Sequence, residues 1–230
     1  MSKLAIIPAR GGSKRIPRKN INNFLGKPII AYSIEAAQKT MLFDEIMVST
    51  EDEEIAGIAE RYGAKVPFRR TKKSSDDYAT LTDVLTEVLK EYDRRGKHFK
   101  DICCILPTAP LTTPSRIQEA HKEYISNKFE SLCPVVQFGY PIYRALHFNT
   151  DNKLELIWNK YEKVRSQDLS PAYHDSGSFY WVTKEALLKQ KTLFCKNGGA
   201  IILSEMETQD IDTIEDWKLA ELKYRLNNGK

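Results

Sequence analysis

Near its amino end the chain reads AIIPARGGSKRIPRKN (residues 5–20), an apolar run followed by a basic loop that contains two glycines. The run Ala5–Ile7 predicts a short β-strand that ends at Pro8. Beyond the loop, apolar side chains at 29–37 have helical spacing, and Pro28 stands where the first residue of a helix is expected. A strand, a loop and a helix in this order are typical of the repeating unit of an α/β sheet.

Strand and helix signals continue to alternate along the chain. Strands are predicted at 46–49, 101–106, 132–136, 178–182 and 200–203, and helices at 55–62, 80–93, 114–126 and 214–226. The nearly continuous apolar run Asp101–Leu106 is expected of a strand buried on both faces of a parallel sheet. The alternation predicts an α/β fold, a doubly wound, Rossmann-like sheet that is mixed but mainly parallel. Ligands of such sheets bind outside the carboxyl ends of the strands, where the basic loop lies.

The alternation breaks between about residues 139 and 172. Tyr140–Tyr143 and Leu154–Trp158 look like two short strands, joined by the turn Asn149–Asn152. We interpret this segment as a small β-rich insertion, either a lid or a subunit contact. The interpretation leaves one domain over residues 1–230, interrupted by one insertion.

The composition is ordinary for a soluble globular protein: 230 residues, of which 41% are hydrophobic and 29% charged. The formal net charge of +4 is too small to imply a nucleic-acid partner. We find no signal peptide and no apolar run that approaches the roughly 18 residues of a membrane span. The four cysteines lack Cys-x-x-Cys spacing, which favours buried, reduced thiols and a cytoplasmic location. They are Cys103, Cys104, Cys133 and Cys195.

The basic loop has the properties of a phosphate-binding segment. Gly11 and Gly12 allow backbone N–H groups to approach an anion closely. Positive charge is concentrated in the same stretch, at Arg10, Lys14, Arg15, Arg18 and Lys19. The order Gly-Gly-Ser-Lys differs from a Walker A loop. A solvated basic loop and a nucleic-acid patch are the alternatives, although no aromatic residue stands among these charges.

Two carboxylates near the carboxyl end are candidates for a metal site. Asp210 and Asp212 are two residues apart, so in extended backbone they face the same side. Oxygen ligands of this kind suit Mg²⁺ that is held together with substrate phosphates. The alternative is a helix start, in which Asp212 or Thr213 caps the helix that follows.

Taken together, the two ends of the chain resemble one family. Ile6–Asn20 closely resembles the opening motif of the CMP-sialic acid synthetase family of cytidylyltransferases, and Gln209–Thr213 resembles its metal-binding segment. Between them the match continues through Ser49–Asp52, Phe68–Arg70, Leu106–Leu111 and Arg165–Asp168, so that it covers essentially the whole chain. Tyr173–Trp181 looks most like the branch that acts on pseudaminic acid. Leu106 and Thr112 stand where sialic acid enzymes carry Gln and Arg, which affects the choice of sugar.

The resemblance implies an enzyme that transfers CMP from CTP to the anomeric hydroxyl of a nine-carbon acidic sugar and releases pyrophosphate. The implied nucleotide-binding residues are Ala9, Arg10, Gly11, Gly12, Ser13, Lys19, Asn20, Arg70 and Thr80. Arg69 and Thr82 are alternatives to the last two. Mg²⁺ would be bound by Asp210 and Asp212, and the residues with catalytic roles would be Arg10, Lys19 and Asp212.

The sugar carries a carboxylate, and a guanidinium binds carboxylates in a bidentate fork. The implied sugar-binding residues are therefore Arg144 and Arg165, completed by Gln167, Tyr173 and Tyr180. Tyr180 is equally compatible with core packing, and His174 is either a base or a packed or surface residue. The insertion resembles the dimerisation arm of the family, which implies a homodimer.

Pseudaminic acid is the favoured sugar, with N-acetylneuraminic acid and a legionaminic-type sugar as alternatives and an eight-carbon keto acid as a weaker one. A non-catalytic nucleotide-sensing module of the same fold is the remaining alternative. The pair Asp210 and Asp212 argues against a sensor, because a sensor would not need it.

Overall fold

A computed structural model describes residues 2–71, 74 and 79–229 of the chain. The strands are β1 (Lys3–Pro8), β2 (Asn23–Phe24), β3 (Lys27–Pro28), β4 (Glu45–Ser49), β5 (Asp101–Ile105), β6 (Ser131–Gln137), β7 (Leu146–Phe148), β8 (Leu154–Leu156), β9 (Tyr173–Asp175), β10 (Phe179–Thr183) and β11 (Gly198–Leu203). The α-helices are α1 (Ile29–Thr40), α2 (Glu53–Arg61), α3 (Leu81–Arg94), α4 (Pro114–Ser126), α5 (Lys184–Gln190) and α6 (Ile214–Asn227).

Seven of the strands form one sheet, whose main path is β11-β6-β10-β5-β1-β4, with β9 added beside β6. β10 is antiparallel to both of its neighbours, whereas the other pairs along the path are parallel. The prediction of a mixed, mainly parallel α/β sheet is therefore confirmed. β1 lies between β4 and β5, with Ile6 opposite Met47 on one side and Cys104 on the other.

Alternate side chains of β1 enter two different cores, as the two-residue period of a strand requires. Ala5 and Ile7 belong to a core that includes residues of α1, α2 and α4, and Leu4 and Ile6 to one that includes residues of α3 and α5. Burial on both faces explains why this strand reads as an uninterrupted apolar run.

The cysteines follow the same division, since Cys103 lies in the first core and Cys104 in the second. All four cysteines are buried and free, as predicted. Burial raises the pKa of the Cys103 and Cys104 thiols, so these groups stay protonated and chemically quiet.

Side-chain caps fix the starts of several helices. Thr80 and Thr213 each form a capping box with the residue three positions on, and Thr113 caps α4 immediately before Pro114. The predicted bounds of α4 and α6 agree closely with the structure. Thr213, one of the two predicted candidates, is the cap of α6. The prediction for Pro28 is wrong, because its extended backbone places it before the helix, which begins at Ile29.

The segment predicted as an insertion leaves the main sheet after β6. The turn at 149–152 is confirmed, since the Asn149 side chain accepts hydrogen bonds from the N–H groups of Asp151 and Lys153. It joins β7 to β8 in a separate two-stranded sheet. The prediction of a strand at Tyr140–Tyr143 is wrong, because a 3-10 helix occupies Ile142–Arg144 and the strand begins at Leu146. We call residues 139–172 the arm.

The arm exposes large apolar side chains. They are Tyr140, Leu146, Phe148, Leu154, Ile157 and Trp158. Within the described residues, no helix combines the length and the apolar character that crossing a membrane requires.

Candidate active site

The carboxyl ends of β1 and β4 form the base on which the basic loop rests. The first loop residue after β1 is tied to the end of β4, where the Ala9 N–H donates to the Ser49 carbonyl at 2.9 Å. The Asn20 side chain closes the loop by donating to the Arg10 carbonyl at 2.8 Å. Asn20 is buried, so this amide needs its partner. Asn20, which is predicted to contact the ligand, therefore also has a structural role in the loop.

Asp52 anchors the loop through Arg18. Its carboxylate binds the Arg18 guanidinium in bidentate fashion at 2.5 and 2.9 Å and also accepts the Ile55 N–H at the start of α2. Arg18, whose backbone is left-handed, also contacts Glu54 at 2.5 Å. The hydrogen-bonded guanidinium lowers the pKa of Asp52 to about 2, so this carboxylate is charged at neutral pH.

The loop and its surroundings enclose a cavity of about 290 Å³. Five of the predicted nucleotide residues line it: Arg10, Ser13, Lys19, Asn20 and Arg70. Ala9 is fully buried beside the cavity. Pro107 and Thr108 also line it, and they come from the Leu106–Leu111 segment that matched the family without receiving a role. Ser74 and Ala79 complete the wall on the α3 side, and sequence reasoning did not identify them.

Arg69 and Arg70, the two candidates for one contact with the nucleotide, occupy different positions. Arg70 is buried, donates to the Ser49 carbonyl at 2.5 Å and lines the cavity. Desolvation lowers the pKa of Arg70, although a guanidinium remains charged. Arg69 instead binds Glu53 at the surface. The structure therefore places Arg70 at the candidate site.

Thr80 uses its hydroxyl in the capping box of α3, where it contacts Asp83 at 2.7 Å. The cavity wall in this region is contributed by Ala79 and Leu81. Neither Thr80 nor Thr82 lines the cavity, so the cavity does not support the prediction that one of their hydroxyls contacts the nucleotide.

The acidic end of the chain meets the basic loop. The Lys19 ammonium group donates to the Ile211 carbonyl at 2.5 Å and lies 3.7 Å from the Asp212 carboxylate. Arg15 pairs with the same carboxylate at 2.7 Å. Ile211 is fully buried between Asp210 and Asp212. The two segments that carried the resemblance are therefore adjacent in space, although about 190 residues separate them.

The chemistry of Asp210 and Asp212 fits a partial metal site. Desolvation and the charge of Asp212 raise the pKa of Asp210, which a nearby cation would reverse. Over the described ranges, no group of three or more His, Cys, Asp and Glu side chains is arranged to bind a metal. Two carboxylates that share a magnesium ion with substrate phosphates agree with both observations.

A family model described as cytidylyltransferase matches residues 4–229. The chain belongs to the cytidylyltransferase family. This confirms the family to which the two end segments pointed. Pseudaminic acid cytidylyltransferase of Campylobacter jejuni is 43% identical over 228 residues, which cover 99% of this chain and 98% of the relative. CMP-N,N'-diacetyllegionaminic acid synthase of Legionella pneumophila is 31% identical over 237 residues, with 99% and 98% covered.

A solved structure titled CMP:2-keto-3-deoxy-manno-octonic acid synthetase complexed with CTP shares the fold. It superposes with a TM-score of 0.72 over the full length of both chains. Its sequence identity of 16% makes this a likeness of fold alone. The α/β sheet described above is thus the sheet of a cytidylyltransferase fold.

The predicted sugar-binding residues lie on and beside the arm of this cytidylyltransferase. Arg144 donates to the Val164 carbonyl at 2.6 Å, which brings it next to Arg165 in space. Arg165 is exposed and paired with Asp168 at 2.7 Å. Gln167, which lies between Arg165 and Asp168 in the sequence, is also exposed.

Three further candidates lie where the chain returns to the sheet. Tyr173 is exposed on β9, and the His174 ring packs against Phe138. Tyr180 is buried in the second core and donates to Asp175 at 2.5 Å, which supports the alternative that it packs in the core. Asp175 in turn acts electrostatically on Asp210.

We predict different consequences for alanine at the two loop glycines. A Cβ atom at Gly11 would lie 2.7 Å from Oδ2 of Asp52, which Arg18 and Ile55 hold in place. A Cβ atom at Gly12 would have no neighbour within 4 Å. Gly11→Ala should therefore lower the free energy of unfolding by about 1–3 kcal/mol, and Gly12→Ala should change it by less than about 0.5 kcal/mol. Urea unfolding without nucleotide measures both, and equal effects would contradict the described loop geometry.

Proposed function

We propose that this cytidylyltransferase transfers CMP from CTP to the anomeric hydroxyl of a nine-carbon acidic sugar, with pseudaminic acid as the substrate. The observation that carries the proposal is the contact of Lys19 with Ile211 and Asp212 beside the cavity lined by Arg10 and Arg70. Cations for a triphosphate and carboxylates for its metal are thereby concentrated at one edge of the sheet. The 43% identity to the Campylobacter enzyme supports pseudaminic acid, and the Legionella relative makes a legionaminic-type sugar the second candidate.

In the proposed reaction the anomeric oxygen forms a bond to the α-phosphorus, the bond to pyrophosphate breaks and the hydroxyl proton is released. Arg10 and Lys19 would bind the phosphates and stabilise the charge that develops on them. Gly12 would present its backbone N–H group, since the N–H groups of Gly11 and Ser13 are bonded within the protein, and buried Arg70 would orient the nucleoside. Mg²⁺ bound by Asp210 and Asp212 would neutralise charge on the α-phosphate and the leaving pyrophosphate. Positioning and charge stabilisation supply most of the catalysis in transfers of this kind.

The arm would supply the sugar site and the contact with a second subunit. Arg144 and Arg165 offer guanidinium groups for the sugar carboxylate, with Gln167 and Tyr173 nearby. Apolar side chains such as Phe148 and Leu154 are more than half exposed on the same segment, as expected of an interface. We therefore propose a homodimer of single-domain subunits, with residues 139–172 as the dimerisation segment. Four buried, free cysteines agree with a cytoplasmic location.

The first test is a panel of sugars. Purified protein with CTP and Mg²⁺ should release pyrophosphate only when sugar is added, and fastest with pseudaminic acid. The panel includes N-acetylneuraminic, N,N'-diacetyllegionaminic and 2-keto-3-deoxy-manno-octonic acids. Release of pyrophosphate that does not depend on sugar, or no release with any sugar, would contradict the proposed transfer. Preference for another member would correct the substrate alone.

The second test concerns the carboxylates. Asp212→Ala should lower kcat by about a hundredfold or more, because a group that supports transition-state charge is lost. The fold should persist, since Asp212 is partly exposed and Thr213 caps the helix. Glu215→Ala, an exposed acidic residue in the first turn of α6, is the matched control. Steady-state pyrophosphate assays measure kcat, and circular dichroism checks the fold. An unchanged kcat would contradict the proposal that Asp212 binds the metal.

The third test concerns the arm. Arg165→Ala should raise the KM for the sugar about tenfold and leave the KM for CTP unchanged, because a bidentate ion pair with the sugar carboxylate is lost. Lys163→Ala, an exposed cation two residues away, serves as the control for charge. A selective rise in the KM for CTP would place Arg165 at the nucleotide instead.

A further inference from the structure

Glu51 lies at the base of the nucleotide loop without a part in the reaction described above. Its Oε1 atom accepts the Gly11 N–H at 2.7 Å, 40 residues away in sequence. Its Oε2 atom is buried and has no hydrogen-bond partner among the residues that the structure describes. A buried carboxylate oxygen without a partner is costly, so the local geometry must compensate for it.

The neighbours of Glu51 hold other parts of the same site. Ser49 accepts the Arg70 guanidinium, Thr50 accepts the Arg70 backbone N–H at 3.0 Å, and Asp52 holds Arg18. Glu51 is also one of two carboxylates whose charge acts on buried Arg70. The last residue of β4 and the three that follow it thus hold the loop and the buried arginine in a fixed relation.

We infer that Glu51 is a positioning residue, whose carboxylate fixes the Gly11 N–H and with it the backbone of the loop for CTP. The inference rests on the proposed use of this loop for CTP. Because Glu51 occupies the Gly11 N–H, that group is not itself a donor to CTP; the contact instead holds the backbone between Arg10 and Gly12 in place before the anion arrives. Because Glu51 contacts a protein group, it acts through Gly11 and is expected to affect CTP binding more than turnover.

Two substitutions separate the effect of the length of the Glu51 side chain from the effect of its charge. Glu51→Gln keeps the length of the side chain and an oxygen acceptor but removes the charge. Glu51→Asp keeps the charge but shortens the side chain by one methylene, about 1.5 Å, so that the 2.7 Å hydrogen bond to Gly11 is lost. If positioning depends on the hydrogen bond, the variant that loses the charge is the milder one.

The experiment measures KM for CTP, KM for the sugar and kcat for both variants. Glu51→Asp should raise the KM for CTP about tenfold, with kcat and the KM for sugar within about twofold of wild type. Glu51→Gln should stay within about threefold in all three values. Glu53→Asp and Glu53→Gln are the matched controls, since Glu53 lies two residues on and binds Arg69 at the surface. Both controls should behave as wild type.

Amide hydrogen exchange gives a readout that needs no activity. A peptide that contains Gly11 should exchange faster in Glu51→Asp than in wild type and should be unchanged in Glu51→Gln, both measured without nucleotide. This result would support the role of Glu51 even if no sugar of the panel were a substrate, so the two proposals can fail separately.

Several outcomes would overturn the inference. A Glu51→Asp variant that matches wild type in exchange and in the KM for CTP would do so, as would a Glu51→Gln variant that loses as much as Glu51→Asp. Should Glu51→Asp fail to fold by circular dichroism, Glu51→Met takes its place, because it keeps the length of the side chain but lacks the oxygen acceptor. A tenfold rise in the KM for CTP of Glu51→Gln, absent from Glu53→Gln, would show that charge and not the hydrogen bond is what matters and would overturn the inference.

Discussion

Lys19 reaches from the basic loop to the backbone carbonyl of Ile211 and to the Asp212 carboxylate. This contact joins the loop after the first strand to the segment before the last helix, and the rest of the site depends on it. A buried Ile211 anchors the acidic segment, so that Asp210 and Asp212 remain near Lys19, which lines the cavity. Without it, the phosphate-binding loop and the two carboxylates would be separate surface features with no common chemistry.

The cations of the loop are divided between building the site and lining it. Arg18 is committed to Asp52 and Glu54, Arg10 lines the cavity, and Arg15 both lines it and pairs with Asp212. Arg15 and Arg18 each have a carboxylate within contact distance, and these carboxylates offset part of the positive charge of the loop. The description as a solvated loop therefore does not apply to Arg18 and Lys19, which are held by protein partners.

Much of the fold follows from sequence because its signals are local. The apolar run at 101–106 predicts β5, and the predicted helices at 114–126 and 214–226 match α4 and α6 nearly to the residue. The antiparallel direction of β10 could not be read in this way, since it depends on pairing with β5 and β6. The same holds for Gly11, because its need for glycine comes from Asp52, 41 positions later. For Thr80 the signal is local, since its hydroxyl lies in the capping box of α3, and its contact with the nucleotide stays a prediction.

The nucleotide half and the arm differ in how firmly their side chains are held. Arg70 is buried and bonded to Ser49, and Asn20 is buried and bonded to Arg10. Arg165, in contrast, is exposed and pairs with a neighbour three residues away. A buried, hydrogen-bonded group cannot change without leaving an unsatisfied partner, whereas an exposed ion pair contributes little to stability. The fold therefore constrains the half proposed for CTP strongly and the half proposed for the sugar weakly, which would let one scaffold accept different acidic sugars while the chemistry at phosphorus stays the same.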